Sequence, residues 1–477
     1  DEQNSIHNRY VFVGFDKNGD TVLDEYDTVG SDAITSGVIY RPSKVQIAFG
    51  KVIPMPEQHA PMIVDENNAP LLDSKGEIRE SGDNYQRHTV AATFNVINTG
   101  KRLTVAINHL KSKGSTCYED WVGWEQWEDF DRVKDDVPNE DFQGSCENFR
   151  VAAAYHLGNE MDKIDGDKVV LGDMNSYAHE DPMLVLTSNP TNKAIYAAGY
   201  TTIDGEKQFG PEGQRITKTF GYLNAVDMFI EEGKTPWSYS YNDEVGSLDH
   251  MLISSSLKNR IVDATDWHIN AAETSLYDYN NEYKYDTDSN GNPVDQEGNI
   301  LPEDDSNVFY SETPFRSSDH DSAIISLGYK YGEGGEEPVN IAIKSGRADI
   351  AFPVSSDAQA GDIAKISISP KPVGAVLPQV VLTKDNAQTV MFDVVGLDTG
   401  EYTINMTLNR ESSVSAQSSN ATTSEVIDSM SMQAEISKRD SSNVSPVYAE
   451  YDGSGGSFGF GALLSLIGLG FLRRRKL

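Results

Sequence analysis

Four short clusters of residues share the vocabulary of hydrolytic chemistry. Asn108-His109-Leu110-Lys111-Ser112-Lys113 closes one apolar run, and Gly172-Asp173-Met174-Asn175 closes another. Asp249-His250 opens a third, and Ser318-Asp319-His320-Asp321 opens a fourth. Carboxylates offer the oxygen ligands that Mg²⁺ or Mn²⁺ takes, and an imidazole can move a proton near neutral pH. Together they suit phosphodiester hydrolysis, which needs an activated water, a stabilised phosphorane-like charge and a protonated leaving oxygen. Taken singly, each cluster is weak, because Gly, Asp and Asn are turn formers and an isolated Asp-His pair is usually structural. The specificity lies in their combination and order, each at the end of an apolar run.

Positioning such groups requires strands that stop beside one another. GVIYRP, TVAATFNVI and RLTVAINHL alternate as strands do, and KVVLGDMN reads as a short buried strand ending in a polar loop. SLDHMLIS and DSAIISLGY place an apolar strand beside polar residues, and residues 147–163 carry helical spacing. RYVFVGF and TVLDEY flank Asn18-Gly19, a hairpin signal. Residues 1–330 therefore read as one α+β unit with its polar groups at one sheet edge. YGEGGEEP (331–338) reads as a linker, 339–410 as a small all-β sandwich and 411–454 as a Ser-rich stalk.

In a polar insertion at 278–310, Asp286, Asp288, Asn290, Gly291 and Glu297 fall at positions 1, 3, 5, 6 and 12 of a calcium-loop pattern. Pro293 and the lack of flanking helices leave a solvated acidic turn as the alternative. Trp121, Trp124 and Trp127 could stack on bases or cover their own loop.

The 477 residues carry 39 Lys+Arg against 74 Asp+Glu, a net charge of −35. Such a chain does not hold nucleic acid by its overall field; a polyanionic substrate would need a locally basic cleft and bound cations. Cys117 and Cys146 are the two cysteines, and export would favour a disulfide between them. The tail, 455–477, has two glycines, an apolar stretch and Arg473-Arg474-Arg475-Lys476. It reads as a membrane segment with a cytoplasmic basic stop. It resembles the GlyGly C-terminal sorting signal of Gram-negative bacteria, in which a membrane protease removes the segment. That implies a secreted or cell-surface protein passing through an inner-membrane-anchored intermediate. The polar opening DEQNSIHNRY has no apolar leader, which suggests a sequence beginning partway through a longer protein.

NHLKSKG, NFRVAAA, GDMNSY, LDHMLIS, WHINA with a following DYN, and FRSSDHD together resemble the endonuclease/exonuclease/phosphatase superfamily, and more closely its large secreted bacterial nucleases. The resemblance covers roughly residues 10–330. It implies a four-layered α/β sandwich of the deoxyribonuclease-like type, N-terminally truncated here, and a monomeric, Mg²⁺- or Mn²⁺-dependent nuclease of DNA or RNA. His109 resembles one catalytic histidine and His320 the general base, with Asp249 orienting it. Asp173 and Asn175 resemble the pair that orients water or touches metal and phosphate, and Asp319 resembles a metal carboxylate. Arg87 stands where a phosphate-binding arginine would, since its planar fork suits phosphate. Lys111 and Lys113 would supply the basic cleft or be solvated surface lysines. His250 and His268 are expected to pack or hydrogen-bond. The sequence departs from the family at His88 and Ser322, where proline is usual. It also lacks the upstream Asn and Glu of the metal site, so the chain as given is expected to bind metal poorly and to have little activity. The alternatives are a phosphodiesterase or phosphatase on lipid or small-molecule phosphates, and a calcium-binding surface protein with a degenerate nuclease fold.

Overall fold

The computed structural model describes residues 10–16, 29–30, 34–42, 44–62, 64, 67–70, 83–121, 143–242, 244–273, 286–287, 292–294, 299–300, 313–335, 337–343, 346–384, 389–416, 419–438 and 448–450. Six strands form the central sheet: β1 (Val45–Ile53), β2 (Thr89–Val96), β3 (Lys101–His109), β4 (Asp167–Asp173), β5 (Leu223–Asn224) and β6 (Asp249–Ile253). Their order is β5-β6-β4-β3-β2-β1. Only β3 and β4 run parallel. A parallel pair needs a crossover rather than a tight turn, and helix α1 (Glu147–Met161) lies in that connection.

Two apolar layers cover the sheet. Alternate residues of a strand point to opposite faces. Val170 and Leu252 accordingly join Ala152, Leu157 and Met161 of α1 in one core, while Val169, Met251 and Ile253 join another. α1 is buried on several sides, because helix α2 (Asp181–Leu186) and the chain around Phe220 pack on it from outside. Its Gly158 permits this approach: a Cβ there would lie 2.2 Å from Phe220 Cε2. On the opposite face, β7 (Ile261–Trp267) pairs antiparallel with β8 (Ser322–Leu327). Ala264, Ala323 and Ile325 of this pair pack against the sheet. The expected four-layered sandwich is thus seen in part, as helix, central sheet and second β layer; a fourth layer of helices is not among the described residues.

A second core lies within residues 339–436. β9 (Val339–Ile343), β10 (Arg347–Pro353), β11 (Ile363–Ser369), β12 (Gln379–Val381), β13 (Thr389–Val395), β14 (Gly400–Ala416) and β15 (Ser419–Lys438) surround it. The larger sheet has the order β9-β15-β14-β11-β12, and β10 pairs with β13. Two expectations are corrected here. The Ser-rich stretch after 410 is not a stalk as far as 438, because β15 pairs with β14 along its length. Met432, Ala434 and Ile436 are buried while Gln433 and Glu435 between them are exposed, and Ser429 and Ser431 continue the outer side of a period-2 strand. The glycines of 331–338 are likewise not those of a free linker. Gly332 N donates to Asn98 O at 2.7 Å, and Arg260 holds Glu333 at 2.9 and 2.6 Å. A Cβ on Gly100 would lie 2.7 Å from Glu337 O, so glycine here permits close approach of two backbones.

Among the described residues no helix is long and apolar enough to cross a membrane. The tail 455–477, the Asn18-Gly19 turn, Trp124 and Trp127 lie outside the described residues, as do Asp288, Asn290, Gly291 and Glu297 of the calcium-loop pattern. Asp286 falls in a two-residue strand paired with Pro293-Val294.

Candidate active site

Three of the expected residues form a row across the sheet. β3 and β4 end together, with His109 in register with Asp173. β6 runs the opposite way and begins with Asp249 in register with Asp173. Buried Asn108 secures this edge: its carboxamide accepts from Thr89 Oγ1 at 2.6 Å and donates to Ala106 O and Leu171 O at 3.0 and 3.1 Å. Gly172 has φ +128°, and a Cβ there would lie 2.0 Å from Asn108 O, so only glycine lets the two strand ends close.

The turn after Asp173 orients its carboxylate. Asn175 adopts φ 46°, a left-handed conformation that asparagine tolerates. Its backbone N–H donates to Asp173 Oδ1 at 2.7 Å. Its side-chain Nδ2 donates to Leu110 O at 3.0 Å and to Asp173 Oδ2 at 3.2 Å. His109 Nε2 stands 3.4 Å from the same Oδ2. Burial, reinforced by the facing Asp249, pushes the Asp173 carboxyl up to about 6.

The loop before β8 brings His320 to this row. His320 Nδ1 donates to Asp249 Oδ2 at 2.6 Å, which leaves Nε2 as the nitrogen away from the carboxylate. Ser238 Oγ donates to the same oxygen at 2.7 Å and itself accepts the amides of Leu248 and Asp249. Burial disfavours the imidazolium, but the Asp249 hydrogen bond and the charges of Asp249, Asp173 and Asp319 outweigh it and push His320 up to about 9. Tyr239 packs on the ring, centroids 4.6 Å apart. The loop is pinned from behind by Asp321, whose buried carboxylate accepts from His268 Nδ1 at 2.8 Å and from the amides of Asn270 and Ala271. Trp237 stacks on His268, centroids 3.7 Å apart.

These groups open into a cavity of about 760 Å³ lined by Arg87, His109, Lys113, Asp173, Asn175, Tyr177, Tyr239, Asp249, Asp319 and His320, among others. Arg87 is also near enough for its charge to oppose the rise at Asp173. The two lysines depart from expectation. Lys111 does not line the cavity; its amide donates to Gln86 Oε1 and its carbonyl accepts from Arg150. Lys113 does line it, but its ammonium is engaged by Glu180 and by Gln143 O. His88, where the resembled family has proline, accepts the Met55 amide at 3.2 Å. His250 is buried and donates from Nε2 to Ser176 O at 2.8 Å.

The donor set fits a divalent cation. Ligand-capable atoms of Asp173, Asp249 and His320 all lie within 4.8 Å of one another. Two carboxylates directly opposite on neighbouring strands repel, and a cation between them removes that cost. Of the expected metal set of Asp319, Asp173 and Asn175, Asp173 is in this cluster, Asn175 lines the same cavity with its Nδ2 donating to Asp173, and Asp319 is an exposed residue of the cavity wall.

Several contributors carried no clear sequence signal. Ser238 and Tyr239 lie outside every motif. Arg150, within NFRVAAA, is fully buried and donates to Ser176 Oγ, Lys111 O, Ser145 O and Gln143 O. It therefore ties the turns after β3 and β4 to α1. The Cys117–Cys146 disulfide forms beside it, with Asp120 accepting the amides of both cysteines.

No family model matches the chain, and no curated protein matches it. Several solved structures do match. The human Nocturnin catalytic domain with bound sulfate is 13% identical, the match covering 47% of this chain and 53% of that one, with a TM-score of 0.25. This chain thus spans about half of that domain. An endonuclease/exonuclease/phosphatase family protein from Bacteroides thetaiotaomicron is 11% identical, over 67% of this chain and 75% of that one, TM-score 0.30. An endonuclease/exonuclease/phosphatase from Beutenbergia cavernae is 13% identical, over 88% and 82%, TM-score 0.28.

Proposed function

We propose that this chain is a divalent-cation-dependent phosphodiester hydrolase acting on DNA, with RNA as a second polymer, and that it works outside the cell. The observation that carries the reading is the His320–Asp249 pair set beside the Asp173–His109 row. Asp173 and Asp249 would hold Mg²⁺ or Mn²⁺, with Asp319 close by. The cation, when bound, supplies Lewis-acid stabilisation of charge on the phosphoryl oxygens.

The chain's own residues do the rest. In the metal-free protein the carboxylates hold His320 protonated; a cation on Asp173 and Asp249 would offset their charge, and the neutral ring, its Nδ1 proton held by Asp249, then takes the proton of the attacking water at Nε2. Ser238 holds Asp249 in place for this. His109 donates a hydrogen bond or proton to a phosphate oxygen, and Arg87 binds phosphate through its planar fork. The disulfide supports an oxidising compartment.

Substrate class is tested with a panel of plasmid DNA, RNA, phosphatidylinositol and 4-nitrophenyl phosphate in Mg²⁺, Mn²⁺ or Ca²⁺. Cleavage of the polymers is expected. Turnover confined to the lipid or the monoester would overturn the nuclease reading.

A further inference from the structure

Beside the catalytic cavity lies a second one of about 700 Å³. We propose that it takes the nucleobase next to the scissile phosphate of a single-stranded nucleic acid. The proposal rests on the nucleic-acid reading above.

Tyr177 lines both cavities and so stands where a strand would pass from one to the other. Its ring is held for that role. Lys113 Nζ sits 4.6 Å from the ring centroid, anchored below by Glu180. Gly246 closes on the ring edge, where a Cβ would lie 2.6 Å from Tyr177 Cε1. Lys113 thus buttresses an aromatic platform instead of offering its charge to phosphate. Ile230, Pro236 and Val245 continue an apolar wall around the second cavity, and His179 and Lys234 add polar atoms.

This mixture matches a base better than a phosphate. Asp227 and Glu244 also line the cavity, so it offers no concentrated positive charge. A base needs a π-face to stack on, apolar walls and a few polar partners for its edge, and stacking tolerates any base. Tyr177 and Val245 are 36% and 57% exposed, apolar surface that a stacked base would cover. The volume suits a base with its sugar, within the range of small-molecule sites.

The test separates this subsite from the catalytic one. Val245→Asn alters only the second cavity's wall. It should raise KM for a single-stranded oligonucleotide about 5-fold or more and leave KM and kcat for bis(4-nitrophenyl) phosphate unchanged. An equal effect on both substrates, or none on either, overturns the proposal. Binding is read independently of catalysis in EDTA, with a trinucleotide carrying a central 2-aminopurine. Wild type and Tyr177→Phe should quench its fluorescence, and Tyr177→Leu should not. If the wild type hydrolyses neither substrate, the nuclease reading fails while the quenching still decides the subsite: equal quenching by Tyr177→Leu and wild type overturns it.

Discussion

Asp249 faces Asp173 in register across β6 and β4, two carboxylates at the same sheet edge with His320 hydrogen-bonded to one of them. The electrostatics of the site follow from this pairing. In the metal-free protein His320 should titrate near 9 by NMR. Asp249→Asn removes the hydrogen bond and the nearest charge, and should bring that value down by more than ~1 unit. An unchanged midpoint would show that Asp249 does not set the histidine's protonation.

The same pairing gives metal-free stability a direction with pH. Asp173 folds with its carboxyl raised from 3.8 to about 6, so the folded state keeps a proton that the unfolded state has lost. Stability falls as pH rises through that window. His320 is raised from 6.5 to about 9, so its contribution is complete below 6.5 and is lost as pH rises through 9. That contribution is on the order of 3 kcal/mol. Urea titrations in EDTA at pH 6 and 9 should show a smaller difference in His320→Gln than in wild type.

A divalent cation should oppose these trends. Mg²⁺ or Mn²⁺ at 100 times its Kd would stabilise the fold by about 2.7 kcal/mol. Thermal melts should therefore rise with added metal in wild type and much less in Asp173→Asn. Equal rises in both proteins would place the cation elsewhere.

Arg150 is a structural brace with a functional consequence. Arg150→Met would leave Lys111 O, Ser145 O and Gln143 O without this donor and would leave Lys113 alone to offset the charges of Glu180 and Glu147. Breaking a buried charge network costs about 3–5 kcal/mol. Chemical denaturation measures it directly, and a loss under ~1 kcal/mol would contradict the role.

The disulfide closes a separation of 29 residues. Replacing both cysteines by serine should cost roughly 3–4 kcal/mol on the chain-entropy account. The comparison is again by denaturation, against wild type under non-reducing conditions.

The row of His109, Asp173 and Asp249 was legible because its residues sit where apolar alternation stops, and a strand end fixes where a side chain goes. NHL, GDMN and SLDH each announce both the strand and the group it delivers. What stayed hidden depends on approach between distant segments. Lys113 meets Glu180 across 67 positions, and no local pattern reveals that its charge is already taken. Ser238 meets Asp249 across 11 positions, in a stretch whose sequence is ordinary. The type of Asn175 does not reveal that its left-handed turn aims the amide N–H groups at Asp173 and so orients that carboxylate. Composition alone does not separate a stalk from the paired strand at 419–438, since serine on alternate positions suits a strand's outer face as well as a stalk.

The central claim is that His320, held by Asp249, removes the proton of the attacking water. Its most direct test is the rate of plasmid DNA cleavage in Mg²⁺ or Mn²⁺ by wild type and His320→Ala at equal concentration and equal foldedness. The resemblance alone implies little activity for this chain, whereas the Asp173, Asp249 and His320 cluster offers a cation site within it; on that ground the predicted result is metal-dependent cleavage by wild type and a loss of roughly 10²–10⁴-fold in the variant. Cleavage at the same rate by both proteins would contradict it.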